Sequence, residues 1–236
     1  MEYRNLTLLG TSHIAQQSID AVKKAIENGK PDIIAIELDE KRLKTILSSK
    51  KSGRIRLRDI RKIGIKGYLF SLLGEWVERK LGEQVGVKPG TEMLTAVKLA
   101  KQQGKILALI DQPIEITLRR LNNAIGWKEK LQFGWDIIKN VFKREKVSFD
   151  LHTVPDEKII KELTQRVKKD YPRVYHVLVE ERNEYMVKKL VTIMREENEK
   201  KILAVIGAGH EKEMISMIKD LLEVPAFSYS FSYEDE

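Results

Sequence analysis

The sequence predicts an α/β fold, with a mostly parallel central sheet of about four to six strands, flanking helices and a helical insertion. Short, continuous apolar runs recur along the chain, as expected of strands covered on both faces. Stretches with apolar residues at helical spacing separate these runs. The 236 residues are enough for one domain with its own core, so we treat 1–236 as a single α/β domain.

The first forty residues predict a strand–helix–strand unit. Residues 6–9 form an apolar run that ends at Gly10, and residues 18–28 carry a helical stripe that includes Val22 and Ile26. Pro31 and Asp32 then precede a second apolar run at 33–36. Because both runs are β-branched or continuous rather than alternating, we expect two parallel, buried strands.

The middle of the chain predicts helices around one more strand. A basic helix after residue 41 leads into a helical insertion at about 52–88, which contains Trp76. A helix over 91–103, a buried strand over 106–110 and a helix from Pro113 follow. Residues 123–155 are aromatic and basic, and together with a helix predicted at 156–169 they are interpreted as a helical excursion at about 123–170.

The last third predicts a long helix, a strand and a helix. The long helix covers about 171–199, a buried strand covers 201–206, and the next helix has its stripe through Met214 and Ile218. Aromatic residues alternate after Pro225, which predicts a final edge strand.

Charge and composition limit the functional classes. The net charge is +8, and residues 41–66 hold eleven Lys and Arg against one acid. Such a patch suits nucleic acid or anionic lipid, or is a solvated face of the Lys- and Glu-rich kind common in thermophile proteins. No nucleic-acid-binding signature accompanies it, so nucleic acid is not an expected partner.

The chain has no cysteine, which excludes disulfides, thiolate metal sites and a cysteine nucleophile. No apolar stretch approaches the roughly 18–20 residues of a membrane span, and no signal peptide is recognisable at the start. We therefore expect a cytoplasmic protein. Contact with a membrane surface through the basic and aromatic helices stays open.

Polar residues follow the predicted buried strands, where open α/β sheets bind ligands. Two Gly-x-x-His turns, GTSH at 10–13 and GAGH at 207–210, place His13 and His210 at such ends, and Glu37 and Asp111 follow two other strands. We expect the two turns to share one crevice. Histidine with carboxylate suits Zn, Mn, Fe or Co, whereas a lone histidine after a strand is more often structural.

Two helical residues are expected to point inward. Glu92 continues into the stripe of Ala96 and Leu99, and Arg182 into that of Met186 and Leu190. A buried charge must be paired or bound to a ligand. For Arg182, a bridge to a carboxylate and a role in orienting an anionic substrate both remain open.

The ordered motifs resemble the TraB/PrgY pheromone-shutdown family, in a superfamily with TIKI proteases, erythromycin esterases and ChaN-like haem-binding proteins. The resemblance covers nearly the whole chain and is carried by six blocks: GTSH at 10–13, PDIIAIELD at 31–39, PGTEM at 89–93, LID to TLRR at 109–120, ERNEYM at 181–186 and VIGAGH at 205–210. The chain departs from the family at Asn183, where Asp is usual, at Gln112, where Arg is frequent, and in lacking the C-terminal membrane helices of longer members.

The resemblance implies a metal-dependent, peptidase-like hydrolase that uses Mn, Co or Zn. It implies a metal site of His13, Glu37, Glu92 and His210, with Glu37, Glu92 and Arg182 in catalytic roles. The metal would lower the pKa of a bound water and polarise a carbonyl, and Arg182 would steady the oxyanion or a substrate carboxylate.

A second function remains open, a non-catalytic regulator that sequesters a peptide or haem, because a histidine can ligate haem iron. The expected partners are a peptide or small-molecule substrate and a second copy of the chain. A homodimer would form through the helical insertion.

Overall fold

A computed structural model describes residues 1–11, 16–47, 90–124 and 167–223, with the single residues 126, 135 and 165. It confirms the α/β fold. The elements in chain order are β1 (Glu2–Tyr3), β2 (Leu6–Thr11), α1 (Gln16–Gly29), β3 (Ile33–Ile36), α2 (Glu40–Leu47), α3 (Thr91–Gln102), β4 (Ile106–Leu109), α4 (Ile114–Ala124), α5 (Pro172–Tyr175), a π-helical turn (His176–Glu180), α6 (Glu181–Glu196), β5 (Ile202–Gly207) and α7 (Glu211–Glu223).

The sheet has the order β1-β2-β5-β3-β4, and all of its pairings are parallel except that of β1 with β2. The last strand in sequence, β5, therefore lies in the middle. Its register pairs Gly10 with Ile206 and Thr11 with Gly207. The strands that end in the two glycine turns are thus direct neighbours, as the shared-crevice prediction requires.

Side chains of β5 alternate between two apolar layers. Leu203 and Val205 pack with α1 and α3, whereas Ala204 and Ile206 pack with α6 and α7. Both layers exclude water, so every residue of β3 and β5 is buried. This explains why these strands are continuous apolar runs in the sequence.

The helices that follow β2 and β5 lie on opposite faces of the sheet. Helix α1 packs in the layer with Val22 and Met93, and α7 packs in the layer with Met214 and Leu190. Neighbouring parallel strands whose following helices diverge open a crevice at their carboxyl ends. In this fold that switch point lies between Thr11 and Gly207.

Two expectations need correction. The apolar run at 106–110 was expected to be a buried strand, but β4 lies at the sheet edge, and Ile106 is 48% exposed. The helix expected over 171–199 is interrupted by the π-helical turn His176–Glu180. Strand β1, which adds an antiparallel edge, was not predicted.

Other predictions lie outside the described residues. These are the helical insertion at about 52–88, most of the excursion at about 123–170, and the alternating strand after Pro225. Among the helices of the described ranges, none is long and apolar enough to cross a membrane.

The packing of α6 on the sheet is testable at Leu190, which is fully buried in the layer with β2 and β5. Leu190→Ala should lower the free energy of unfolding by about 2–5 kcal/mol, because it leaves a cavity. Lys188→Ala, an exposed position on the same helix, should change it by less than about 0.5 kcal/mol. Urea denaturation measures both values, and equal losses would contradict this packing.

Candidate functional site

A cluster of buried charged residues occupies the carboxyl ends of β3, β4 and β5. Glu37 follows β3, Asp111 follows β4, and His210 lies between β5 and α7. Their exposed fractions are 4%, 3% and 8%. Arg182, in the first turn of α6, reaches this edge of the sheet, and its side chain is 16% exposed.

The Arg182 guanidinium joins two of these carboxylates. Its Nε donates to Oδ1 of Asp111 at 3.0 Å and its Nη2 to Oδ2 at 2.9 Å, a two-point contact. Nη2 also donates to Oε1 of Glu37, and Nη1 donates to the Leu178 carbonyl at 3.2 Å. Charge-assisted, bidentate contacts of this kind offset the cost of burying both carboxylates.

Glu37 also contacts the turn after β5. Its Oε2 accepts a hydrogen bond from the Gly207 backbone N–H at 2.6 Å. Its Oε1 lies 3.5 Å from Nε2 of His210. One carboxylate thus links the end of β3, the glycine turn of β5 and the histidine.

A second guanidinium, that of Arg42, comes from α2. Its Nε donates to Oδ2 of Asp39 at 2.8 Å, and its Nη2 donates to Asp111. Asp39 caps α2, because its Oδ1 accepts the backbone N–H groups of Lys41 at 2.8 Å and Arg42 at 3.0 Å. The helix is therefore anchored to the site through its first turn.

Burial lowers the pKa of the Arg42 guanidinium, and the nearby positive charge of Arg182 lowers this pKa further. Attraction to Asp39 and Glu37 opposes both effects. Three carboxylates, those of Glu37, Asp39 and Asp111, face these two guanidiniums. When all are ionised, the cluster retains one negative charge.

Besides its Nε2 contact with Glu37, His210 is held through its second ring nitrogen, Nδ1. Its Nδ1 lies 2.6 Å from Oδ1 of Asn183, while its Nε2 lies 3.5 Å from Nη1 of Arg182. Asn183 in turn donates from Nδ2 to Oε2 of Glu213 at 2.9 Å. The Tyr175 hydroxyl donates to the other oxygen, Oε1, at 2.5 Å.

Burial, together with the hydrogen bond to Glu213 and its charge, raises the pKa of the Tyr175 phenol well above its usual value. The phenol is therefore neutral throughout the neutral pH range, and its hydroxyl can donate a hydrogen bond to Glu213.

The glycine turns differ in what they require. A Cβ at Gly10 would meet Oε2 of the flexible Glu211 side chain at 2.5 Å and Cα of Ala208 at 3.1 Å, so the close approach of Gly10 to the turn after β5 favours glycine there. A Cβ at Gly209 would meet no atom of the described residues within 4 Å. The close contact is thus found at Gly10 and not at Gly209.

The structure brings some of the predicted site residues together and leaves others untested. Glu37, Arg182 and His210 lie together, and Arg182 forms a carboxylate bridge, which is one of the two roles left open for it by the sequence. Glu92 is buried in the first turn of α3, as its helical phase predicts. His13 lies outside the described residues. Within the described ranges, no three His, Asp or Glu side chains are grouped to hold a metal, so the four-ligand set stays a prediction.

Several residues of the cluster were given no role in the site from the sequence. They are Asp39 with Arg42, and Asn183 with Glu213 and Tyr175. The sequence places Asp39 after a predicted strand and Asn183 in a family motif, but neither was predicted to take part in the site. In the sequence, Arg42 belongs to a basic run, and Glu213 looks like an ordinary exposed residue of a helix. Neither residue therefore gave a signal that it belongs to the site.

Comparison with known proteins finds one matching family and several relatives that each cover most of this chain. The profile of the TraB/PrgY/gumN family matches residues 2–221. An uncharacterized protein of Methanocaldococcus jannaschii is 33% identical over 224 residues, covering 92% of this chain and 54% of its own length. TraB domain-containing proteins of Bos taurus and Homo sapiens are 25% and 24% identical, covering 76% of this chain and 50% of their own length. The chain thus spans about half the length of these relatives.

The raised pKa of Tyr175 predicts a pH dependence of stability. The folded protein keeps the phenol proton, whereas the unfolded chain loses it above about pH 10, so rising pH favours unfolding. We expect the free energy of unfolding of the wild type to fall above that pH by up to roughly 1.4 kcal/mol per unit from this group. In Tyr175→Phe this contribution should be absent.

Denaturant titrations between pH 8 and pH 11 compare the wild type with Tyr175→Phe. Tyr3→Phe is the matched control, because the Tyr3 hydroxyl also donates to a glutamate of α7, Glu223, but away from the site. A pH dependence in Tyr175→Phe as steep as that of the wild type would show that the phenol does not retain its proton.

Proposed function

The chain belongs to the TraB/PrgY/gumN family, and we propose that it is a metal-dependent hydrolase with peptidase-like chemistry. The reactive centre in this proposal is the buried cluster at the carboxyl ends of β3, β4 and β5. One observation carries the proposal: Nε2 of His210 and Oε1 of Glu37 lie 3.5 Å apart beside the Arg182 guanidinium.

The two donor atoms suit a transition metal by type and by spacing. Imidazole nitrogen with carboxylate oxygen is a ligand pair for Zn, Mn or Co. Two ligands bound at about 2.0–2.1 Å on a tetrahedral ion lie roughly 3.3 Å apart. The 3.5 Å separation of these atoms is close to that value. His210 and Glu37 would therefore hold the ion, with His13 and Glu92 as the proposed remaining ligands.

The guanidiniums set the strength of such a site. Arg182 already donates to the Glu37 oxygen in question, and Arg42 offsets a further carboxylate charge. A cluster with one residual negative charge attracts a divalent ion less than free carboxylates would. We therefore propose a metal that exchanges with solution and is removed by a chelator.

When bound, the metal would supply a Lewis acid that polarises a substrate carbonyl and activates water. The chain's own residues would divide the remaining work. Arg182 would donate from Nη1 to the oxygen that becomes negative, or to a substrate carboxylate. Glu37 would stay oriented by the Gly207 N–H, which holds its second oxygen. The substrate in this proposal is a peptide or small molecule.

We also propose self-association into a homodimer and contact with a membrane surface. A homodimer and a membrane-surface contact depend on the basic and helical segments, most of which lie outside the described residues. For haem, the described surroundings of His210 Nε2 are a carboxylate and a guanidinium. These contacts favour a metal ion over a tetrapyrrole.

The metal step is tested by calorimetric titration of chelator-treated protein with Mn, Co and Zn. The wild type should bind one of them, and His210→Ala should lower the affinity by at least about 10-fold, because it removes a ligand. His176→Ala is the matched control, since His176 is an exposed histidine on the π-helical turn that bonds Glu180. Its affinity should equal that of the wild type.

The hydrolytic step is tested by incubating the metal-loaded protein with a mixed peptide library and detecting new termini by mass spectrometry. We expect cleavage with the wild type and none with His210→Ala. No metal binding, or equal binding by His210→Ala and wild type, would overturn the metal site. Metal and peptide binding without cleavage would favour the sequestering role instead.

A further inference from the structure

We propose that Asn183, Glu213 and Tyr175 are positioning residues that hold the His210 imidazole with its proton on Nδ1. In this arrangement the Nε2 lone pair is directed at the Glu37 and Arg182 side of the cluster. The tautomer follows from the hydrogen bonds alone, and its consequence for metal binding rests on the function proposed above.

The first step is the orientation of the Asn183 amide. The Glu213 carboxylate accepts the Tyr175 hydroxyl at 2.5 Å on one oxygen and Asn183 Nδ2 at 2.9 Å on the other. An ionised carboxylate has no proton to donate, so Asn183 must present its NH2 group to it. Its carbonyl oxygen is then left to face His210.

The second step is the imidazole. Because the Asn183 Oδ1 can only accept, the His210 Nδ1 at 2.6 Å must carry the proton. The competing contact would place the proton on Nε2, but Nε2 lies 3.5 Å from Glu37 Oε1, at the limit for a hydrogen bond. Arg182 Nη1, also 3.5 Å away, can only donate toward Nε2. The shorter contact decides the tautomer.

The third step is the π-helical turn, which aligns Tyr175 with Asn183. We call the chain of hydrogen bonds from Tyr175 through Glu213 and Asn183 to His210 the relay. Tyr175 precedes the turn His176–Glu180, and Asn183 follows it. Across eight residues of uninterrupted α-helix, Asn183 would be rotated roughly 80° from Tyr175. The wider π turn rotates less per residue and brings both side chains toward a common face, where Glu213 of α7 meets them.

The consequence is an oriented ligand atom. Metal-binding histidines usually donate the other ring N–H to a polar group, and loss of that group lowers metal affinity by about 10–100-fold. Asn183 and Tyr175 are both buried, and the hydrogen bond between Asn183 and His210 is buried as well, so water does not compete for that bond. The relay would therefore preset His210 before any ion arrives.

The tautomer can be read directly by long-range ¹H–¹⁵N correlation spectra of the ¹⁵N-labelled protein, at a pH where the ring is neutral. The chain has four histidines, and His210→Ala assigns the resonance. In the wild type we expect the Nδ1 signal to be that of a protonated nitrogen and the Nε2 signal that of an unprotonated one. Wild-type His210 protonated on Nε2 would overturn the proposal without any variant.

Asn183→Leu removes the acceptor and should shift His210 toward the Nε2–H form, with about a 10–100-fold loss of metal affinity. The matched control is Asn5→Leu, since Asn5 Nδ2 also donates to two carbonyls, those of Glu197 and Lys200, at the opposite end of the sheet. The control should keep the wild-type tautomer. An unchanged tautomer in Asn183→Leu would overturn the relay.

The two proposals fail in different ways. An Nδ1–H tautomer that depends on Asn183, in a protein that binds no metal, would support the relay and overturn the metal-dependent function. Metal binding by a protein whose His210 is protonated on Nε2 in the metal-free state would support the metal site and overturn the relay.

Discussion

The architecture of the site depends on one buried guanidinium. Arg182 is carried by α6, yet it contacts carboxylates that follow two different strands, Glu37 after β3 and Asp111 after β4. Removing one partner from a buried ion pair is costly, because the other charge is left without compensation in a poorly solvated place. The helix, the sheet edge and the two acids therefore constrain one another, and this constraint holds the charged side chains of the site in place.

The same constraint connects the fold to the chemistry. The crevice exists because β5 lies between β2 and β3 and the helices after β2 and β5 diverge. It is polar because strand ends deliver acids there and α6 delivers Arg182. The residue after Arg182, Asn183, turns to the other side and bonds His210. One helical turn thus supplies both the charge that holds the acids and the amide that orients the imidazole.

The features that the sequence predicted correctly depend on local patterns. The helical phase of α6 predicted that Arg182 points inward, and the ends of continuous apolar runs located Glu37 and His210, because helix phase and strands buried on both faces leave a pattern in the local sequence. It missed the Asn183–Glu213–Tyr175 relay, since that depends on a π-helical turn and on the packing of α6 against α7. It also misjudged β4, because an apolar run looks the same at the centre of a sheet and at its edge.

The central claim, that Arg182 and Asp111 form a strongly coupled buried pair, is tested most directly by a double-mutant cycle. The free energies of unfolding of wild type, Asp111→Asn, Arg182→Met and the double variant give the coupling energy. The structure predicts a coupling above about 1 kcal/mol, with the double variant losing less than the sum of the single losses. Additivity within about 0.5 kcal/mol would show that the two side chains act independently and would contradict the account.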